Sequence, residues 1–415
     1  MKQLSILLLL TSVLSAYGQE SSTVYEFRGY DRTGVFQEPN LVKVWPESGP
    51  SELYTIDNLG NGYGSPVFTE NEFFITGEID STGYIYCFDL KGNKKWETVL
   101  GPEWMRSYPG GRDAPTVAGN RIYIGTGVGD LYCLERSSGK VLWTKRLKDD
   151  FNGALPLHGY SEAPLIDGER IFWTPGGKVN NVVALNRFTG NLIWTNKGFG
   201  EPMGYNQARL IRLPARSIVV TFSSYHLMGF DAATGEMLWF HEQDNLPVEK
   251  RKPGYGDTHC NTVIYEKGHL WYVAGDGNSA VKLALSDDGK TISEVWRSKN
   301  LNGYMGGIVK LGDYIYGDVQ QRPGLHSISA VNGEKVDSLL NGEGSVIAAD
   351  GMIYYYNTRG TVHLIEPTNG KMRIVSTFRV TKGTKEHFAH LTINKGILYV
   401  RRGNALIAYD IRGKV

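Results

Sequence analysis

The chain has 415 residues, with 44 Lys plus Arg against 43 Asp plus Glu and a formal net charge of +1 at pH 7. So even a balance excludes the basic stripe that a nucleic-acid partner requires, and 3 cysteines are too few, and odd in number, for a disulfide framework. Its 51 glycines and 12% aromatic residues point to many turns between packed strands, with few helices.

Residues 1–18 read as an export signal. Met1-Lys2 is a short basic start, Leu4 to Leu14 an apolar run, and Ala16-Tyr17-Gly18 a small-residue cleavage site. The run is about eleven residues, whereas a helix needs about 20 to span a bilayer, and no later segment is long and apolar enough. Cleavage after Gly18 leaves Gln19 first, with no cysteine there to carry a lipid, so the expectation is a periplasmic or secreted protein without a membrane anchor. Residues 19–50 follow as an N-terminal wrap, and "SELYTID" (51–57) is a lone strand ahead of everything regular.

From there one phrase recurs. It appears as "YIYCFDLKGNKKWET" from Tyr84, "DLYCLERSSGKVLWTKR" from Asp130, "VVALNRFTGNLIWTN" from Val182 and "LMGFDAATGEMLWFH" from Leu227. Each is an alternating strand, a polar turn closed by glycine, and a second strand with tryptophan four residues later: Trp96, Trp143, Trp194, Trp239. Four weaker copies follow, the first ending at Trp296 and the last at Val415. A pair of short β runs precedes each copy, so the unit is four strands in about 40 to 50 residues, the period of one propeller blade. The expectation is an all-β, eight-bladed propeller over residues 51–415. The last copy lacks an outer strand, which residues 51–57 would supply, closing the ring and removing its exposed edges.

The D-x-x-T-G-x-x-x-W phrase resembles the repeat of the quinoprotein-like propellers, a family that includes pyrroloquinoline quinone dehydrogenases and the outer-membrane β-barrel assembly lipoprotein. The stretches "FRGYDRTGV" and "WPESGPSELY" also resemble exported members of that family, and Phe27, Arg28, Gly29 and Trp45 are expected to wrap the ring as packing residues. The resemblance implies two activities. One is a sugar or alcohol dehydrogenase holding pyrroloquinoline quinone with calcium. The adjacent cysteine pair that usually clasps the quinone is missing, as is a C-x-x-C-H haem site, and the dehydrogenase is not favoured. The other is a non-catalytic envelope scaffold that meets protein partners.

The residues themselves suggest a third. In a propeller, the loop entering each innermost strand sits at the rim of one face. Six of these eight loops carry a tyrosine: Tyr63, Tyr108, Tyr160, Tyr205, Tyr255 and Tyr304. The residues around it are polar and differ from blade to blade, which suits a pocket on a regular scaffold. Candidate ligand contacts are Arg112, Asp113, His158, Tyr160, Tyr205, Asn206, Gln207, Asn261, Tyr304, His387 and His390; candidate catalytic groups are Asp257, His259 and Glu162. Strand alternation would aim Asp257, His259 and Asn261 at the channel and leave Cys260 for packing. Tyrosine faces with Asp, Glu, Asn, Gln and His suit a sugar or oligosaccharide, with Arg112 facing a uronate. Alternatively, each polar group satisfies a neighbouring blade's main chain. No metal motif is present; His387 and His390, three apart, would face oppositely on a strand.

Overall fold

The computed structural model describes residues 23–243, 247–275, 278–303, 305–320 and 322–413. The expected signal segment and Tyr304 lie outside the described residues. Eight antiparallel sheets form the blades of a β-propeller. Blades 1 to 7 occupy residues 67–102, 116–146, 165–196, 209–242, 264–298, 308–339 and 344–379. Blade 8 combines Thr392–Asn394, Ile397–Arg402 and Ala405–Asp410 with Ser51–Ile56 from the other end of the chain. Among the described residues no helix is long and apolar enough to cross a membrane.

Within a blade, burial falls from the axis outward. In blade 1, Glu72–Ile79 is buried along nearly its whole length, whereas the outer Lys94–Pro102 is largely exposed. Middle strands lie between two neighbouring blades, so both of their faces must be apolar. Val67, Phe74 and Ile85 of blade 1 pack against Ile122, Ile124 and Leu134 of blade 2. Cys87 and Cys133 are buried in such interfaces, and none of the three cysteines is joined in a disulfide.

The recurring glycine and tryptophan meet across blade boundaries. Trp96 lies on the turn of blade 2 at Gly139, where a Cβ would come within 2.5 Å of the indole, and its Nε1–H donates to the Arg136 carbonyl at 3.2 Å. Gly139 also has φ +73°, a left-handed conformation that favours glycine. The contact repeats as Trp143 on Gly190 and Trp194 on Gly235, with indole bonds to the Arg187 and Ala232 carbonyls at 3.1 Å each.

Ring closure follows the expected route. Ser51–Ile56 pairs antiparallel with Ala405–Asp410, Ser51 opposite Asp410 and Ile56 opposite Leu406. Tyr54 takes the tryptophan's place there: its ring packs on Gly92 of blade 1, and its hydroxyl donates to the Leu90 carbonyl at 3.2 Å.

The N-terminal segment differs from expectation. Trp45 packs on Tyr354 and Phe378 at the edge of blades 7 and 8, but Phe27, Arg28 and Gly29 lie inside the ring. Val24–Tyr25 pairs with the inner strand of blade 2, and Val35–Phe36 pairs in parallel with that of blade 7. The inner strands present unpaired edges to the channel, and a segment threaded through it satisfies part of them; one laid around the outside would not.

Trp194→Ala is expected to lower unfolding stability by about 3–5 kcal/mol, and Tyr54→Ala, at a half-buried site, by about 2 kcal/mol. Urea denaturation followed by tryptophan fluorescence measures both. An unchanged midpoint for Tyr54→Ala would show that closure rests on main-chain pairing alone.

Candidate functional site

The loops that enter the eight inner strands converge around a cavity of about 580 Å³, within the range of small-molecule sites. Every blade contributes, from Tyr63 in blade 1 to Phe388 and His390 in blade 8, and Phe27 of the N-terminal segment lines it as well. An arc of rings runs along one wall: Tyr63 to Phe388 at 5.9 Å, Phe388 to Tyr108 at 5.7 Å, Tyr108 to His158 at 6.2 Å and His158 to Tyr205 at 6.2 Å between centroids. Tyr108 and Tyr205 have φ of +47° and +68°. A bulky side chain is rare in that region and costs of order 1–3 kcal/mol; among the described residues these are the only aromatic positions that adopt it.

Arg112 stands within the arc. Its guanidinium donates to the carbonyls of His158, Ser107 (3.2 Å) and Tyr108 (2.8 Å), and among the described residues it forms no ion pair with a carboxylate. Burial lowers its pKa from the usual arginine value. The His158 main-chain N–H donates to the Tyr205 hydroxyl at 2.9 Å, and the His158 ring meets the Ser107 hydroxyl at 3.2 Å. Gln207 lines the cavity while its side-chain carbonyl accepts from the Ala163 N–H at 2.5 Å. His390 donates from Nε2 to the Met305 carbonyl at 2.9 Å, so Nδ1 accepts from Arg28 at 2.8 Å. Burial beside Arg28 pushes its pKa down to about 3, and the ring is neutral.

Five of the sequence candidates thus reach the cavity: Arg112, His158, Tyr205, Gln207 and His390. Of the others, Tyr304 lies outside the described residues, and the rest do not line this cavity. Residues 254–263 are irregular, and side chains there do alternate, but in the opposite phase from that expected: Thr258 and Cys260 line the cavity. His259, 0% exposed, is drawn toward blade 4, its N–H donating to the Gly204 carbonyl and its Nε2 contacting the Ser224 carbonyl, both at 2.9 Å. Asn261 donates to Val273 at 3.0 Å and, in the next blade's loop, to Gly303 at 2.7 Å. Asp257 accepts from the Gly254 N–H at 3.0 Å. Glu162, 1% exposed, accepts from the Tyr160 hydroxyl and from the Thr174 N–H and hydroxyl at 2.9 Å each; burial raises its pKa. Tyr160 is buried against Trp173. Asn206 donates to Thr221 at 3.3 Å in the blade interior. His387 sits in a small annex beside the cavity, bonded to the Tyr356 hydroxyl at 2.5 Å. The placement of Asp257, His259, Asn261, Glu162, Tyr160 and Asn206 on the cavity wall is therefore corrected: their polar atoms serve the walls between strands and blades. Phe27, Phe388 and Cys260, with Thr258, Met305 and Glu343, are among the contacts that the sequence assigned to packing or did not reveal.

Asp113 lies behind Arg112. It is 2% exposed, and both carboxyl oxygens lack a hydrogen-bond partner among the described residues. Burial, with the nearby Glu103 charge, pushes its pKa up to about 8. The native state then keeps a proton that the unfolded chain, with an ordinary aspartate, has released, so this group lowers stability progressively as pH rises from about 4 to 8 and leaves a constant deficit above. Asp113→Asn is expected to raise Tm at pH 8–9 and to do so less toward pH 5, as differential scanning across pH would record.

Quinone and calcium require a clasp of ligands. Among the described residues no group of three His, Cys, Asp or Glu is placed to hold a metal ion, Glu343 is the carboxylate that lines the cavity, and the cysteines are apart and in no disulfide. The residues present do not fit that pair.

Among known proteins, the family described as "Outer membrane protein assembly factor BamB" matches residues 81–339. BamB of Yersinia pestis is 26% identical over 286 residues, which are 66% of this chain and 64% of that protein. A quinoprotein ethanol dehydrogenase of Pseudomonas aeruginosa is 25% identical over 252 residues, 60% of this chain but 32% of that one. The alignments thus leave over a third of the first relative and most of the second unmatched. The crystal structure of BamB from Moraxella catarrhalis shares the fold with a TM-score of 0.63 at 15% identity, covering 88% of this chain and 98% of that one. With well over half of its residues inside the family match, and with glycine and tryptophan locking one blade to the next, this chain belongs to the BamB family of quinoprotein-like propellers.

Proposed function

We propose that this propeller binds an acidic carbohydrate in its axial cavity. The observation that carries the reading is the aromatic arc with Arg112 inside it. Tyr63, Phe388, Tyr108 and Tyr205 offer ring faces to the apolar sides of a sugar, and Arg112, hydrogen-bonded to main-chain carbonyls and sensing Glu103 and Asp113 through space without an ion pair to either, supplies a positive charge. A charge held in a partly desolvated wall attracts an anion more strongly than one in bulk water. Gln207, His158 and Thr258 add polar atoms for hydroxyls. Binding is favoured over turnover because Glu162, Asp257 and His259 direct their polar atoms into the scaffold. Export, expected from residues 1–18, fits relatives named for the outer membrane.

Family membership favours a second reading, a ring that presents its surface to protein partners in envelope assembly. Under it the cavity holds no saccharide.

A thermal-shift screen of the full chain against neutral and uronate oligosaccharides separates the two. A ligand at about 100 times its Kd stabilises by about 2.7 kcal/mol, so a selective rise in Tm with uronates is expected, and Arg112→Gln is expected to lose affinity for them by about tenfold or more while binding to a neutral counterpart changes little. No shift with any saccharide would move the assignment to the partner-binding ring.

A further inference from the structure

The channel of a propeller runs through the ring, yet this cavity has a floor, and the floor belongs to the N-terminal segment. Residues 23–36 cross the channel between the inner strands of blades 2 and 7. Two buried arginines fasten the crossing. Arg28 donates to the carbonyls of Val346 at 2.9 Å and Ile308 at 2.8 Å, on blades 7 and 6. Arg32 donates to Ala163 at 2.9 Å, Pro164 at 2.8 Å and Ala208 at 3.1 Å, at the entrances of blades 3 and 4. Ring and segment both leave room for Arg28: a Cβ on Gly307 of the ring would come within 2.3 Å of its guanidinium, and one on Gly34 of the segment within 2.1 Å. Phe27, between strand and arginine, lines the cavity and meets His390 edge to face at 5.1 Å.

We propose that residues 23–36 are a built-in stopper that makes the through-channel a blind cavity, and that Phe27 is the residue that sets the length of ligand the cavity accepts. The length claim rests on the carbohydrate reading above; the stopper does not. Arg28 acts through His390. It fixes the ring's tautomer and, by way of the His390 bond to Met305, adds a second tie to blade 6 beside its own bond to Ile308. Arg28 is accordingly a positioning residue, while Phe27 would meet the ligand. A ligand that enters from the loop face stops where its leading ring reaches Phe27, so longer chains must leave their remaining rings outside the aromatic arc.

Two measurements on the full chain test this. In the first, wild type, Phe27→Ala and Phe27→Trp are titrated calorimetrically with mono-, di- and trigalacturonate. The expected result is a change in length preference: Phe27→Ala raises the affinity ratio of trimer to monomer by about tenfold, and Phe27→Trp lowers it, the scale on which a pocket discriminates small differences in size. Equal weakening for all lengths would mark Phe27 as merely structural and overturn the length claim. If wild type binds none of the three, the carbohydrate reading falls and the length claim with it. The second measurement then still decides the stopper. Phe27→Cys is treated with N-ethylmaleimide under native conditions, with Cys260 as the internal cavity reference and Cys87 and Cys133 buried. Modification of the introduced thiol alongside Cys260 is expected; an inert thiol beside a reactive Cys260 would show that Phe27 is not the floor.

Discussion

Everything in this molecule hangs on one contact: an indole seated on the glycine of the next blade's turn. Glycine is required twice over, for a left-handed backbone and for space, since a Cβ at Gly139 or Gly235 would come within 2.5 Å of the tryptophan of the preceding blade. The contact joins neighbours at their outer edges at Gly139, Gly190, Gly235 and Gly333, and elsewhere other side chains sit on the turn glycine, as Tyr314 and Val336 do on Gly370. At the seam between blades 8 and 1, where no repeat supplies a tryptophan, Tyr54 packs on Gly92. Closure therefore reuses the same physics with a different aromatic residue.

Fixing the blades from outside leaves a second demand at the axis. Except in blades 2 and 7, inner strands carry main-chain donors and acceptors with no fifth strand beside them, and buried groups of this kind must be satisfied. Side chains of the loops answer part of it by reaching across boundaries: Thr76 to the Asp113 carbonyl at 3.0 Å, Thr116 to Pro164 at 2.7 Å, Ser345 to Ala389 at 3.2 Å, Ser65 to His390 at 2.9 Å. His259 and Asn261 belong with these stitches. Their neighbours in the chain, Thr258 and Cys260, are thereby turned to the cavity. A loop rich in chemical groups is here mostly a joint, and the cavity wall is made of what the joint does not use.

The fold was legible because its signal is periodic: glycine and tryptophan at fixed spacing mark the first four blades, weaker copies of the same phrase mark the rest, and the missing outer strand of the last copy points to residues 51–57. The cavity was only half legible. That the entrance loops converge follows from topology, which is why Arg112, His158 and Tyr205 were found. Which way each side chain points does not. Outside a strand, alternation has no phase until a tertiary bond sets it, and for residues 257–261 that bond is the His259 N–H to Gly204, in another blade. The crossing segment left still less trace. Its strands are two residues each, too short to show a period, and its arginines pair with carbonyls, which any residue supplies; Phe27 consequently read as packing.

The segment that fills the channel also sets an order of events. Arg28 bonds to groups 280, 318 and 362 residues further along the chain, and the strand that closes the rim pairs with Ala405–Asp410. Contacts this distant form slowly, because a long loop must close before they return any stabilisation. Residues made early must thus wait for those made last. A chain cut short before blade 8 forfeits the strand partner of residues 51–56 at the rim and, with His390, one of the ties that hold Arg28 at the axis.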